Sequence, residues 1–219
     1  EDLTRLVEDL RTLLVERGVN DQELVVEFIL PNEMLSQAVE QWTDLCGEPL
    51  GICWPVVVRS RERLRELGFQ LGWEAGWKTV WMGEPKRFQK GFWWMEDHEE
   101  SWRRQARGKV ENGACVALGF VPDLRALPRH NAVTHLLRVG ASIVFWPRRD
   151  EELARFRPEL DSFLADHCLG HLPKTIRDMR RRLWEQQRES SPCYHLALLW
   201  DDPTRRPYLS SRSDDEFYR

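Results

Sequence analysis

The stretch Gly140-Ala141-Ser142-Ile143-Val144-Phe145-Trp146-Pro147-Arg148 decides how the chain folds. Its run from Ser142 to Trp146 is too short for a helix, rich in β-branched and aromatic side chains, and bounded by Gly140 and Pro147. It reads as a buried strand. Outward from it, strands of the same kind are expected at Ala114 to Val121 and Tyr194 to Trp200, and earlier at Leu24 to Leu30 and Ile52 to Val58. Pro55 marks that last run as an edge strand or as the entry to a strand. Helical spacing fills the gaps. Leu3, Leu6, Val7, Leu10, Leu13 and Leu14 form an amphipathic stripe that stops at Gly18, a plausible C-terminal cap. After Pro31, the residues Met34, Leu35, Ala38, Val39 and Trp42 repeat at helical intervals. Further helices are expected at Arg59 to Leu67, Glu96 to Lys109, Asp123 to Val139 despite Pro128, Glu151 to Cys168 and Lys174 to Glu189. Strands alternating with helices, joined by crossovers long enough for parallel pairing, predict an α/β fold. The expected architecture is a single domain with a mostly parallel or mixed sheet, preceded by an N-terminal helix. Its expected bounds are 1–18 for the helix, which links to an upstream parent chain, 19–210 for the domain, and 211–219 for a polar tail.

Composition narrows the function. The chain has 219 residues, 42% of them hydrophobic and 31% charged, with a net charge of −4. That balance excludes wholesale disorder and argues against a dedicated nucleic-acid binder, which would be clearly basic. No apolar run approaches the length of a membrane span, and no signal-peptide pattern opens the chain. The five cysteines, Cys46, Cys53, Cys115, Cys168 and Cys193, form no CxxC pair, and Cys53, Cys115 and Cys193 are placed in strand-like stretches. Neither a disulfide framework nor a structural zinc is expected, and a cytoplasmic setting follows. The chain begins at Glu1 rather than Met, which suggests a piece of something longer.

Catalytic motifs are missing: no G-x-S-x-G elbow, P-loop, G-x-G-x-x-G or H-E-x-x-H occurs. His167 and His171 stand four apart beside Cys168, but Gly170 and Pro173 end a helix there, so no metal and no cofactor are expected. The chemistry on offer lies at strand ends, where open α/β sheets bind ligands. Asp201 and Asp202 follow the last strand, and either could act as acid, base or metal ligand, or simply cap a turn before Pro203. On that strand His195, Ala197, Leu199 and Asp201 share a face, with Asp202 on the other. Arg148 and Arg149 follow the Ser142–Trp146 strand and suit an acidic partner, a phosphate or a solvated pair. Together Asp201, Asp202, His195, Arg148 and Arg59 are the candidate functional or ligand residues.

Arginine and tryptophan are over-used. Only 5 of 32 basic residues are lysine, and arginines cluster at Arg59-Arg61-Arg63-Arg65 and at Arg177-Arg180-Arg181-Arg182. Such residues favour partly buried ion pairs and aromatic stacking, although a GC-rich coding sequence has the same effect. The 11 tryptophans outnumber the 3 tyrosines, and six fall between Gly72 and Lys109: Trp73, Trp77, Trp81, Trp93, Trp94 and Trp102. The first three share one helical face. These six are the candidate interface, whereas Trp42, Trp146 and Trp200 are assigned to the core.

Several blocks together carry a family resemblance. Val26-Glu27-Phe28-Ile29-Leu30-Pro31 with Leu35, Val39 and Trp42 is one. Pro55-Val56-Val57-Val58-Arg59-Ser60 with Arg63 is the next, and Gly140 to Arg148 and Leu198-Leu199-Trp200-Asp201-Asp202-Pro203 complete the order. Over residues 24 to 207 the chain resembles the C-terminal domain of vWA-MoxR-associated proteins (VMAP-C) of bacterial conflict systems. The resemblance implies a regulatory module of a larger protein with an N-terminal effector, often a trypsin-like or caspase-like protease. It implies partnership with a MoxR-type AAA ATPase and a vWA protein in anti-phage defence. The alternative from a different class is a small hydrolase or ligand-binding domain using Asp201 and Asp202.

Overall fold

The computed structural model describes residues 5, 9, 12–13, 16–18, 24–44, 46–81, 92–96, 101–126, 131–165 and 167–205. Six strands form one sheet: β1 (Val26–Leu30), β2 (Val56–Ser60), β3 (Trp93–Met95), β4 (Val116–Leu118), β5 (Ile143–Pro147) and β6 (Leu196–Trp200). Their spatial order is β1-β2-β6-β5-β4-β3. Each neighbouring pair is parallel except β5–β6, which is antiparallel over Ile143↔Trp200 to Pro147↔Leu196. Two parallel halves therefore meet back to back across one central seam. The carboxyl ends of β1, β2 and β6 lie at one end of the sheet, and those of β3, β4 and β5 at the other. The fold is α/β, as expected.

Helices cover both faces, which is why the strands read as unbroken apolar runs rather than alternating ones. Side chains of period two separate into two cores. One face places Val56, Val58, Val116, Val144, Trp146 and Leu199 beneath α3 (Leu67–Gln70), α5 (Trp102–Glu111) and α6 (Ala132–Arg138). The other places Val57, Ala117, Phe145, Leu196, Leu198 and Trp200 against α4 (Trp73–Trp81), α7 (Leu153–Leu164) and α8 (Leu172–Glu185). The short helices α1 (Leu50–Cys53) and α2 (Arg61–Arg65) flank β2. Helix α4 crosses the α6–β5 turn so closely that a Cβ on Gly76 would stand 2.5 Å from the Gly140 carbonyl oxygen. Gly140 itself takes φ +98°, a conformation that glycine adopts without a steric penalty.

Several expected elements change. Met34 to Trp42 forms two 3-10 turns, Asn32–Met34 and Val39–Gln41, not an α-helix. Leu35 and Val39 still reach the core, because short turns also bring residues four apart to one side. Leu50–Cys53 is helical, so the strand begins only after Pro55, and Pro55 is an entry residue to an interior strand rather than a mark of an edge. Helix α6 begins at Ala132 instead of Asp123. The Asn131 side chain accepts from Thr134 N at 2.9 Å and caps it, while Asp123 caps its own turn at Arg125 and Ala126. Pro128 and His130 lie outside the described residues. Cys53 closes α1, and Cys115 and Cys193 precede β4 and β6, so none of the three sits within a strand; all five cysteines are free thiols. Strand β3 went unforeseen, since three residues carry no measurable period. Of the N-terminal helix, Arg5, Asp9, Thr12, Leu13 and Glu16 are helical, and its other positions up to Val15 lie outside the described residues, as does the 211–219 tail. Among the described residues no helix is long and apolar enough to cross a membrane.

Candidate functional site

The sheet end shared by β1, β2 and β6 holds the densest polar cluster of the sequence-named residues. Arg59 sits one residue before the end of β2 and Asp201 directly after β6. Because those strands are parallel neighbours, both side chains arrive at the same place. Asp201 is fully buried. Arg59 Nε donates to its Oδ1 at 3.1 Å, and Arg63 Nη1 stands 3.3 Å from its Oδ2. Arg63 is delivered by α2, whose Ser60 cap accepts from Arg63 N at 3.1 Å. Trp73 at the start of α4 donates its Nε1–H to the Asp201 carbonyl at 2.6 Å, and the Arg63 guanidinium lies 5.5 Å over its ring.

The two guanidiniums then reach outward. Arg59 Nη1 donates to Glu27 Oε2 at 3.0 Å and to the Arg205 carbonyl, and Nη2 donates to the Asp202 carbonyl at 2.8 Å. Arg63 donates to the carbonyls of Leu137 and Ala141, closing the C-terminus of α6. Arg205 Nη1 returns to Glu27 Oε1 at 3.0 Å. Two buried cations thus face two carboxylates, and the cluster ties β1, β2, α2, α4, α6 and the segment after β6 together. Burial pushes the Asp201 carboxyl up, against the pull of both arginines, and the same loss of water brings Arg63 down to about 10. Asp201 has no solvent-facing surface from which to meet a substrate.

The other candidates fall elsewhere. Asp202 does what a turn aspartate does: its Oδ1 accepts from Thr204 N at 2.8 Å and Oγ1 at 2.7 Å. His195 precedes β6, at the opposite end of the sheet from Asp201, so the His195/Asp201/Asp202 set is never assembled. There it meets Arg148, whose backbone N–H donates to the His195 carbonyl at 3.0 Å. Arg148 finds an acidic partner inside the protein: Nε and Nη2 grip both oxygens of Glu40 at 2.7 and 2.9 Å, and Nη1 takes the Leu35 carbonyl at 2.6 Å. Arg180 is buried beside them and uses only Nη2, on the Leu196 carbonyl. Burial lowers it to about 10, with Glu40 opposing. Burial also lowers His195, with Arg149 acting in the same direction.

Glu27, Glu40 and the roles of Arg63 and Arg180 were not foreseen. A weak signal existed: Arg59 and Arg63 stand four apart across a strand-to-helix junction, and both are buried, while Arg61 and Arg65 between and beyond them are exposed. His167 lies flat on Phe163 at 5.3 Å, and His171 sits in a 3-10 turn. Among the described residues, Asp44, Glu48 and Cys53 bring three donor atoms within 4.8 Å of one another. Asp44 Oδ1 already accepts the Cys46 and Glu48 N–H groups, however, and burial pushes the Cys53 thiol up to about 11.

The candidate interface splits. Trp73, Trp77 and Trp102 are buried in the domain, which removes them from any surface. Trp77 packs edge-on against Trp200 at 5.5 Å, and Trp102 against His135 at 5.3 Å. Trp81 keeps 36% exposure, and Trp93 and Trp94 are half-buried, so these three alone can offer surface. Of the core assignments, Trp146 and Trp200 are buried, and Trp42 is half-buried with its ring edge-on to Phe28.

Two of the surface clefts lined by described residues are well formed. One, of about 670 Å³, has Glu33, Glu62 and Glu66 on one side and Arg125 and Arg138 on the other, around Phe69. The other, of about 550 Å³, lies between α7 and α8. Neither is lined by Asp201 or Asp202. Comparison with curated proteins and with solved structures returns no match. The profile of the vWA-MoxR associated protein C-terminal domain matches residues 1–203, nearly the whole chain. With the blocks that carry the resemblance now seen to supply β1, β2, β5, β6 and the arginine–aspartate cluster that joins three of them, the chain belongs to the VMAP-C family, named for its association with vWA and MoxR proteins.

Proposed function

We propose that this domain is a non-catalytic regulatory module of a bacterial anti-phage conflict system. It couples an N-terminal effector, a trypsin-like or caspase-like protease elsewhere in the parent chain, to a MoxR-type AAA ATPase, a vWA protein or an invader signal. Residues 1–18 link it upstream, 19–210 form the module and 211–219 its tail. The observation that carries this reading is the state of Asp201. The strand-end carboxylate best suited to catalysis is locked by Arg59 and Arg63 and spent on holding six elements together. Partner contact then falls to Trp81 and the half-buried Trp93 and Trp94. The test is affinity purification of the full-length parent with its genomic neighbours. The expected result is recovery of the ATPase or the vWA protein, reduced by Trp81→Ser with Trp94→Ser. Recovery of neither overturns the proposal.

A further inference from the structure

We propose that β1 is a pairing edge through which two copies of this chain join, strand against strand and antiparallel, centred on Phe28. Among the described residues the sheet ends on two edge strands, β1 and β3. At β3 only three residues are extended, and its ladder to β4 turns the backbone of Trp93 and Met95 inward, leaving Trp94 alone facing out. Strand β1 is five residues long and half-buried throughout. Val26 N donates to the Pro55 carbonyl, so Val26, Phe28 and Leu30 direct their backbone groups toward β2. Glu27 and Ile29 direct theirs away from the sheet, where no described residue donates or accepts. Val26-Glu27-Phe28-Ile29-Leu30 also carries none of the usual guards of an edge, namely lysine, an internal proline or a bulge. Its one charge, Glu27, is already engaged by Arg59 and Arg205.

The sequence selects one register. Antiparallel pairing must oppose outward-facing residues to outward-facing residues. Centring on Glu27 would set two glutamates opposite each other. Centring on Ile29 would set Glu27 opposite Pro31, which has no N–H to give. Centring on Phe28 places Glu27 opposite Ile29 of the second copy and the reverse, giving two hydrogen-bonded pairs. The two Phe28 residues then meet in the closer, non-hydrogen-bonded pair, each beside its own Trp42. The contact is isologous and closes with two copies. It does not depend on which partners the domain serves.

Sedimentation equilibrium of the chain at micromolar concentration tests this. The expected mass is that of two chains, falling to one in Ile29→Pro, which removes an outward N–H that no bond among the described residues uses. Ile29→Asp, which leaves the backbone intact but sets a carboxylate opposite Glu27, should weaken the dimer at least tenfold. Amide exchange at Glu27 and Ile29 should quicken on dilution of the wild type. A monomeric wild type overturns the proposal, as does a dimer indifferent to both variants. Glu27 and Ile29 amides protected in a monomer would also overturn it, because another segment would then cover the edge.

Discussion

The two ends of the sheet each bury arginine, but they do so on different terms. At one end Arg59 and Arg63 face Asp201 and Glu27, and almost every guanidinium nitrogen finds an oxygen. At the other, Arg148 takes both oxygens of Glu40, and Arg180 beside it bonds only the Leu196 carbonyl and leaves Nε and Nη1 without hydrogen-bond partners among the described residues. The first end sets two arginines against two carboxylates, with the exposed Arg205 joining at its rim, and it anchors backbone from many elements; the second carries a surplus positive charge. Removing one member of a buried pair is costly because the other is left behind, whereas replacing a poorly paired buried charge by an apolar group is often neutral. Burial alone therefore says little about which arginine the fold needs. The partners decide it.

That contrast breaks most visibly at Arg59. Arg59→Met leaves Asp201 to Arg63 alone and Glu27 to Arg205 alone and strands two carbonyls, and it should cost about 3–5 kcal/mol, lowering the melting temperature by roughly 10 °C. A calorimetric shift of less than about 2 °C would dissolve the distinction between the ends. Asp201→Asn should cost less, about 2–3 kcal/mol, since the amide retains one acceptor for two guanidiniums; urea unfolding measures it. Arg180→Met should stay within about 1 kcal/mol of the wild type by the same measurement, because one hydrogen bond is exchanged for the relief of a desolvated charge. A loss as large as that of Arg59→Met would show the second end to be equally essential.

The smallest effect is expected with pH. His195 has its pKa held below the ordinary value by burial and Arg149, against Glu40 and Glu151. Above the ordinary value both folded and unfolded chains are neutral there, and stability is complete. As pH falls below it the unfolded chain takes up the proton first, so stability declines. His135 shifts in the same direction, chiefly through burial, with the charges of Arg103, Arg107 and Arg138 adding and a hydrogen bond to the Arg103 backbone opposing. The urea midpoint should therefore drop between pH about 7.5 and about 5.5, less so in His195→Gln, and equal slopes would remove His195 from the account.

How much of this was readable varied with the physics involved. Four five-residue strands, the run Ala114 to Val121 that holds the short β4, and helices α4, α7 and α8 announced themselves, because burial on one or both faces writes its period directly into the residues. Strand β3 did not, nor did the 3-10 turns after Pro31, since segments so short have no period to read. Asp201 and Arg59 were singled out separately as strand-end groups. That they belong together, and that Glu27, Arg63 and Trp73 complete the cluster, required the parallel β2–β6 pairing between residues 142 positions apart in sequence. The tryptophan count pointed to one large surface; packing against Trp200 and His135 withdrew Trp77 and Trp102 from it.

Taken by itself, the sequence determined the α/β class, the covered sheet and the family, because apolar period and ordered blocks survive without coordinates. The antiparallel seam between β5 and β6, the sorting of carboxyl ends to opposite sides, and the difference between a balanced and an unbalanced arginine cluster were decided only in three dimensions. A side chain's charge is written in the chain. Its solvation and its partner are set by what the fold places within about 3 Å of it.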